Sequence, residues 1–233
     1  MVPLTPWQKF KERWKGGCGS ELCGKPKNKI VLARGQVPCD VLFIGEAPGA
    51  SENIVGKPFV GPAGKLLDEI IEKTIRSATI CNKCGTLQFY ETVLGKKPDG
   101  GPLTCAKGHR GATGRVIRYA MTNLVGCIPM DDKRSKIGQP DTDSVEACQP
   151  RLVEFIELCD PSLIVCVGTM ARDAMEQGFS HSPQLHKKIP MIDIRHPAYI
   201  LRQNPTYQPV LLQACRVTLE NVLFELTFPN RQP

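Results

Sequence analysis

Short apolar runs alternate with amphipathic segments along most of the chain. Residues 41–44, 163–167 and 189–194 are apolar stretches with the length of buried strands. Residues 65–75 place apolar side chains at helical spacing, with charged residues between them. Because strands that alternate with helices are typical of parallel sheets, the pattern predicts an α/β fold with a central, mainly parallel sheet flanked by helices.

The remaining periodic segments extend this prediction. We expect a strand over residues 116–125, a helix over 145–158 capped by Ser144, a helix from Met170 onward and a last helix over about 209–226. Near the N-terminus, Trp7, Phe10 and Trp14 alternate with Lys and Arg. This spacing predicts a short amphipathic helix that packs its aromatic rings on the domain.

Two segments lack such periodicity. Residues 17–40 are rich in Gly, Cys and Lys, and we interpret them as irregular or organised by a ligand. Gly, Lys, Cys and Pro dominate residues 77–115, which indicates an insert. The length of the chain favours one sizeable α/β domain over residues 1–233 that contains this insert.

Composition narrows the class of protein. The 233 residues carry a formal net charge of +7, which favours a polyanionic partner without requiring one. No apolar run reaches the roughly 20 residues of a membrane span, and the N-terminus lacks an apolar signal-peptide core. We therefore expect a cytoplasmic protein that does not contact membranes. In that reducing compartment, 11 cysteines indicate metal binding more than disulfides.

Four candidate zinc ligands lie within the aperiodic insert. Cys81 and Cys84 are two residues apart, and Cys105 and His109 follow with three residues between them. Tetrahedral Zn²⁺ takes four nitrogen or sulfur ligands, often in close pairs on tight turns. The insert has too few apolar residues to fold alone, so bound metal would supply its folding free energy. This spacing predicts a zinc knuckle, with unrelated surface thiols as the alternative.

The most informative motif begins where the first predicted strand ends. GEAPGASENIVGKPFVGPAGKLL runs from Gly45 to Leu67 and places a loop where open α/β sheets bind their ligands. The motif resembles the first signature of the uracil-DNA glycosylase superfamily, in its family 4 form. MTN at residues 121–123 and RHPAYILR at residues 195–202 resemble further family motifs, in the family's order. The resemblance implies the superfamily's fold and excision of a base from DNA.

The resemblance also groups four scattered cysteines. Family 4 glycosylases carry a [4Fe–4S] cluster, and MTNLVGCIP and VEACQP match the contexts of two of its ligands. The implied ligands are Cys18, Cys23, Cys127 and Cys148. The first pair is spaced C-x4-C rather than the usual C-x2-C, and the gap between the last two is longer than usual. Cys39 is the alternative ligand if Cys18 or Cys23 is a spare thiol.

The resemblance assigns roles in base excision to four residues. A glycosylase extrudes the nucleotide and encloses its base, and Phe59 matches the ring that stacks on it. Asn123 matches the family's Asn, whose amide pairs with O4 and N3–H of uracil. His196 would donate to O2 as negative charge develops on the departing base. Glu46 would position the water that adds to the sugar.

The resemblance implies further contacts around these residues. The base-binding set also includes Ala47, Gly49 and Glu52, of which Glu52 would lie near C5 of the base. Ser51 and Asn53 replace acidic family residues beside it, which leaves base specificity open. On the DNA side, the implied contacts are Arg195, Tyr199 and Arg202.

The expected function is therefore hydrolytic excision of uracil from DNA by a monomeric enzyme. Two alternatives remain open: a glycosylase for a modified pyrimidine, such as a hypermodified phage base, and a metal-stabilised DNA-binding module without catalysis. Glu46, Asn123 and His196 disfavour the second alternative. Because no His lies between Cys127 and Cys148, the covalent trapping of DNA found in one branch of the family is not expected.

Overall fold

The chain divides into two compact units. The structure, a computed structural model, describes residues 3–19, 21–24, 28–75, 78–89, 107–109, 114–130, 136–179 and 189–228. Unit 1 comprises Met1–Lys65 and Arg118–Tyr199, and unit 2 comprises Leu66–Ile117 and Ile200–Pro233. The expectation of one domain over residues 1–233 stays a prediction. Among the described residues, no helix is both long and apolar enough to cross a bilayer.

Helices and strands alternate along most of the described chain. The helices are α1 (Pro6–Trp14), α2 (Glu21–Gly24), α3 (Ala50–Val55), α4 (Pro62–Thr74), α5 (Thr142–Cys159), α6 (Thr169–Phe179), α7 (Pro197–Leu201) and α8 (Gln208–Glu225). The strands are β1 (Ala33–Gly35), β2 (Val41–Gly45), β3 (Ala78–Cys81), β4 (Leu87–Phe89), β5 (Gly114–Val116), β6 (Tyr119–Asn123), β7 (Leu163–Val167) and β8 (Met191–Ile194).

A five-stranded sheet forms the centre of unit 1. Its strand order is β1-β6-β2-β7-β8. Strands β6, β2, β7 and β8 run parallel, and β1 is an antiparallel edge strand paired with β6. The central strands β2 and β7 are buried along their whole length, as their continuous apolar runs require. The predicted α/β fold with a mainly parallel sheet is confirmed.

The N-terminal helix packs its aromatic rings on unit 1, as predicted. Phe10 is buried, and its ring lies 5.5 Å from that of Trp7 and 5.3 Å from that of Phe155 in α5. The indole N–H of Trp14 donates to Glu154 at 2.7 Å. A nine-residue helix is too short to be stable alone. The burial of its aromatic rings against α5 therefore stabilises α1.

Three local predictions were wrong or incomplete. The strand predicted over residues 116–125 is two strands, because β5 ends at Val116 and β6 begins at Tyr119 in the other sheet. The helix predicted after Ser144 begins earlier, at Thr142, because the Asp141 carboxylate caps it and accepts the Ser144 N–H at 2.7 Å. The irregular segment 17–40 contains α2 and β1, which are too short to show periodicity.

Unit 2 contains a smaller sheet with the order β4-β3-β5. The described part of the predicted insert, residues 77–115, lies in this unit, and the rest of that segment lies outside the described residues. The turn after β3 meets the end of the chain: Gly85 O accepts the Phe228 N–H at 2.9 Å, and Thr86 bridges Thr227. Gly85 has a φ of +70°, and an added Cβ would lie 2.1 Å from Phe228 O, so this contact requires glycine.

Candidate active site

The carboxyl ends of four parallel strands bring separate sequence motifs to one edge of the unit 1 sheet. Gly45, the last residue of β2, pairs with Asn123, the last residue of β6. Beyond β7, the Gly168 N–H donates to the carbonyl of Ile194 at the end of β8. Glu46 and His196 therefore leave the sheet at the same edge as Asn123, the edge where open α/β sheets bind ligands.

Gly45 lets two predicted base-binding side chains approach each other. A Cβ built on Gly45 would lie 2.5 Å from the Asn123 amide oxygen and 2.5 Å from Cζ of Phe59. Any other residue would displace the amide or the ring. Asn123 and Phe59 are 3 % and 6 % exposed, so each is held at one position by its surroundings. An amide beside an aromatic ring can recognise both the edge and the face of a flat heterocycle.

The loop that carries Phe59 is strained and firmly anchored. Phe59 has a φ of +55°, a conformation that non-glycine residues adopt only when their surroundings impose it. On one side, the Arg34 guanidinium donates to Pro58 O at 2.8 Å and to Phe59 O at 3.0 Å. On the other side, the Glu52 carboxylate accepts the N–H groups of Val60 and Gly61, both at 2.8 Å. Two opposite charges thus hold consecutive peptides of one loop.

The Glu52 carboxylate also accepts the Gly49 N–H at 3.1 Å, at the start of α3. Gly49 belongs to the predicted base-binding set, and its place in that set stays a prediction. Neighbouring Asn53 accepts the Lys29 N–H at 2.8 Å. In the structure, Glu52 and Asn53 therefore brace backbone, and their predicted role on the C5 side of a base stays a prediction.

Glu46 and His196 have contacts that suit them to acid–base and donor roles. Glu46 is half-buried, and this burial raises the pKa of its carboxyl above the ordinary value. The His196 Nδ1 accepts the Ala198 N–H at 3.1 Å. A neutral ring in this arrangement carries its proton on Nε2, which makes Nε2 the donor. Gly168, at a φ of +96°, leaves room for this ring, since an added Cβ would lie 3.1 Å from that of His196.

The predicted DNA-contacting residues lie on and beside α7. The Arg195 guanidinium stacks over the Tyr199 ring at 5.3 Å, and Tyr199 is 39 % exposed. Arg202 is exposed and belongs to unit 2. A positive charge stacked on an exposed ring is suited to a phosphate and an unstacked base.

Four cysteines from distant parts of unit 1 converge. The sulfur of Cys18 lies 2.7 Å from that of Cys148 and 3.5 Å from that of Cys23, which lies 3.2 Å from Cys127. Apolar side chains including Ile30, Val125 and Val145 surround them, and Ala47 of the GEAPG loop packs against the same group. This donor set is compatible with metal binding.

The environment of these sulfurs favours an added positive charge. Contact with Cys23 raises the pKa of Cys127, and contacts with Cys18 and Cys23 raise that of Cys148; burial adds to both. The charge of Arg151 acts in the opposite direction on both thiols. Four thiols packed this closely would ionise readily only if a bound cation stabilised the thiolates. Their arrangement therefore fits a metal centre.

Cys39 is excluded as the alternative member of this group. Its N–H donates to the carbonyl of Cys159 at 3.0 Å, and both residues lie in the main core of unit 1. The C-x4-C spacing of Cys18 and Cys23 is therefore no obstacle to bringing both sulfurs to the same place as Cys127 and Cys148.

A second group of metal-binding side chains lies in unit 2. The ligand atoms of Cys81, Cys84 and His109 all lie within 4.8 Å of one another, and Cys81 Sγ is 3.8 Å from His109 Nδ1. A zinc ion would set this last separation at about 3.6 Å. Hydrogen bonds from Thr86 lower the pKa of Cys84, which favours the thiolate. Cys105, the predicted fourth ligand, lies outside the described residues.

Arg151 is a feature of the site that sequence reasoning missed. It is 1 % exposed, and its guanidinium donates to the backbone of β6. A signal was present, because Arg151 interrupts the apolar stripe of α5 formed by Cys148, Leu152, Phe155, Ile156 and Cys159. A charge at a core-facing helical position marks a buried polar contact.

Comparison with known proteins identifies the family. The model of the uracil DNA glycosylase superfamily matches residues 33–219. The chain belongs to this superfamily. The match runs from the first residue of β1 to Leu219 in α8, and it therefore includes both the GEAPG loop and RHPAYILR. The family assignment based on the sequence motifs is confirmed.

Several curated relatives are named type-4 uracil-DNA glycosylase. One from Saccharolobus solfataricus is 30 % identical over 62 % of this chain and 47 % of its own length. One from Sulfurisphaera tokodaii is 26 % identical over 78 % of this chain and 65 % of its own. One from Archaeoglobus fulgidus is 27 % identical over 80 % and 77 %. The aligned region thus spans about half to two thirds of the first two relatives.

One solved structure that the comparison aligns with this chain is that of wild-type SMUG2 from Pedobacter heparinus. It aligns with 79 % of this chain and 76 % of its own at a TM-score of 0.48 and 10 % identity. The family assignment rests on the sequence match alone.

The Phe59 anchor makes Gly64, in the first turn of α4, a sensitive position. A Cβ added there would lie 1.9 Å from Phe59 O. We expect Gly64→Ala to displace the strained loop and destabilise the protein by about 1–3 kcal/mol, as overpacked cores do. Urea unfolding followed by circular dichroism measures this change.

Gly178 in α6 is the matched control, because its added Cβ would meet its nearest neighbour, Gln149, at an ordinary 3.5 Å. We expect Gly178→Ala to be neutral or stabilising, since alanine favours a helix. Equal effects of the two substitutions would contradict the proposed role of the Phe59 carbonyl contact.

Proposed function

We propose that this protein is a DNA glycosylase that hydrolyses the N-glycosidic bond of a flipped uracil and leaves an abasic site. The observation that carries the proposal is the convergence of Glu46, Phe59, Asn123 and His196 at one sheet edge. Membership of the superfamily and the names of the curated relatives support it. The monomeric state remains a prediction.

Asn123 and His196 would approach the base from opposite sides. They follow β6 and β8, which are three strand positions apart, or about 14 Å by ordinary strand spacing. That distance admits a pyrimidine with a hydrogen bond at each side, above the ends of β2 and β7. Phe59 would stack on the ring, and the Asn123 amide would pair with O4 and N3–H.

The reaction separates a cationic sugar from an anionic base. The Nε2–H of His196 would donate to O2 of the departing base, where negative charge collects in the transition state. Glu46 would hold the attacking water and stabilise the positive charge of the sugar when ionised. Arg195 and Tyr199 would hold the flanking DNA by a phosphate contact and a stacking contact.

Two metal centres complete the proposal. Cys18, Cys23, Cys127 and Cys148 would hold a [4Fe–4S] cluster, since four sulfurs converge in an apolar shell. Cys81, Cys84 and His109 would hold zinc, with Cys105 as the fourth ligand. Both centres would be structural: the first would tie four segments of unit 1 together, and the second would fix the turn after β3.

The activity and the role of His196 can be tested together. Purified protein loaded with metal should produce alkali-labile sites in oligonucleotides that contain uracil but not in matched thymine oligonucleotides. His196→Ala should lower the single-turnover rate roughly 100-fold or more, because its donor acts mainly in the transition state. His196→Gln, which retains an N–H donor, should lose less.

Binding to an uncleavable uracil analogue provides the control for this pair of variants. We expect its dissociation constant to stay within about twofold of wild type, since His196 acts on the departing base. A large loss of affinity with an unchanged cleavage rate would show that His196 binds DNA. Absence of cleavage on uracil by the metal-loaded wild type would refute the proposed function.

The raised pKa of Glu46 predicts the acid limb of the pH–rate profile. The carboxylate is the active form, so the rate should fall as the pH drops through the raised pKa, at a higher pH than an exposed glutamate would give. Glu46→Gln should be slower and lose this limb. Single-turnover rates across the pH range measure the effect, and Glu69→Gln, at an exposed position in α4, should keep the limb.

The same shift makes a prediction about stability. Burial favours the neutral form of Glu46, so its stabilising contribution is present at low pH and is lost as the pH rises through the raised pKa. Glu46→Gln should therefore be at least as stable as wild type at neutral pH. A clear loss of stability there would indicate a structural role for the carboxylate.

Metal content tests the two centres separately. Protein purified without oxygen should contain about four iron atoms and one zinc ion per chain. Cys127→Ser should lose iron and keep zinc, whereas Cys84→Ser should lose zinc and keep iron. Elemental analysis measures both. Cys39→Ala is the matched control and should keep both metals, because Cys39 packs in the main core; iron loss in that variant would contradict the ligand set.

A further inference from the structure

Arg151 is a charged side chain in a place that normally excludes charge. It is 1 % exposed and lies among the apolar residues of α5. Taking a guanidinium out of water is costly unless its donors and its charge are matched. The groups that Arg151 contacts must therefore compensate for this cost.

The hydrogen bonds of its two terminal nitrogens go to the end of β6 and to Leu32, just before the edge strand β1. Its Nε has no hydrogen-bond partner among the described residues. Nη2 donates to Asn123 O at 2.6 Å and to Leu124 O at 2.9 Å. Nη1 donates to the Thr122 hydroxyl at 3.1 Å and to Leu32 O at 3.5 Å. Nη2 thus holds two consecutive peptide carbonyls at the turn out of β6, while Nη1 holds the Thr122 side chain. These contacts fix the backbone from which the Asn123 amide projects.

The other side of Arg151 faces the cysteine group. Cys148 lies one helical turn earlier in α5. Nε of Arg151 is buried beside Gly126, 3.7 Å from where a Cβ would stand. Gly126 directly precedes Cys127. The segment from Asn123 to Cys127 therefore wraps around the guanidinium, with the base-reading residue at one end and a cysteine at the other.

The charge of Arg151 has no carboxylate partner among the described residues, where its hydrogen bonds go to neutral carbonyls and a hydroxyl. Cys148 lies one turn away on the same helix, and Gly126, which Nε adjoins, directly precedes Cys127. Four thiolates around a metal cluster would supply the missing negative charge. A buried cation beside an anionic centre leaves neither charge uncompensated, which avoids the cost of an isolated buried charge.

We propose that Arg151 is a positioning residue that holds Asn123 at its reading position and balances the charge of the metal-bound thiolates. One guanidinium thereby ties the base-reading strand to the cluster-binding helix. The proposal rests on the proposed function, because it takes Asn123 as the residue that reads the base. Arg151 does not touch the base itself; it acts through the backbone of residues 122–124.

Two substitutions separate the two roles. Arg151→Lys keeps a positive charge, but one ammonium cannot replace both Nη2, which donates to the carbonyls of Asn123 and Leu124, and Nη1, which donates to the Thr122 hydroxyl. We expect it to retain iron while its single-turnover rate on uracil falls roughly 10- to 100-fold, as small misplacements of a reading group do. Arg151→Met should show the same loss and, in addition, a lower iron content or a more negative cluster reduction potential, because a nearby positive charge is gone.

Arg118→Lys is the matched control. Arg118 also lies largely buried beside β6, but at the opposite end, where its charge faces the buried Asp40. We expect this variant to change thermal stability and to leave iron content, reduction potential and the ratio of uracil to cytosine excision as in wild type. Melting curves of all variants establish that each one folds.

Asn123→Asp distinguishes the failure of this proposal from the failure of the proposed function. If Asn123→Asp leaves the ratio of uracil to cytosine excision unchanged, Asn123 does not read the base and the proposed function of the site is wrong. If Asn123→Asp shifts the ratio while Arg151→Lys and Arg151→Met keep the wild-type rate, iron content and reduction potential, the positioning role of Arg151 is wrong. Loss of rate in Arg151→Lys with iron retained supports it.

Discussion

The register of β2 against β6 is the constraint on which the site depends. Gly45 and Asn123 are paired at the ends of these two strands, with no side chain on Gly45 to separate the Asn123 amide from the Phe59 ring. Because side chains alternate between the two faces of a sheet, a slip of one residue would turn Asn123 to the opposite face. The buried Thr122 side chain opposes that slip, because its hydroxyl donates to Leu32 O at 2.7 Å and would lose this partner.

Buried and half-buried charges around the site are used to fix backbone. Arg34 and Glu52 hold the peptides on either side of Phe59, and Arg151 holds those at the end of β6. In each case the ion loses water and gains hydrogen bonds to a few carbonyl or N–H groups. This exchange adds little to the net free energy of folding. Its effect is specificity of conformation: Phe59 stays at a positive φ and Asn123 stays at one place.

Much of this could be predicted from local pattern, and the rest depends on contacts between distant segments. Continuous apolar runs were enough to find β2 and β7, because strands buried on both faces leave that signal. β1 was missed because three residues at a sheet edge carry no periodic signal, and its partner β6 decides its conformation. Asp141 was missed as a cap because capping depends on where the backbone turns, and both Asp141 and Ser144 have side chains that can cap a helix.

The contact between the turn at Gly85 and Phe228 links two parts of the chain that are far apart in sequence. Their backbone hydrogen bond and the bridge between Thr86 and Thr227 mean that the end of the chain can dissociate only if the turn beside Cys81 and Cys84 gives up both partners. The turn and the C-terminal segment therefore stabilise each other. A disturbance of this turn would also loosen residues 227–228, which lie far from it in sequence.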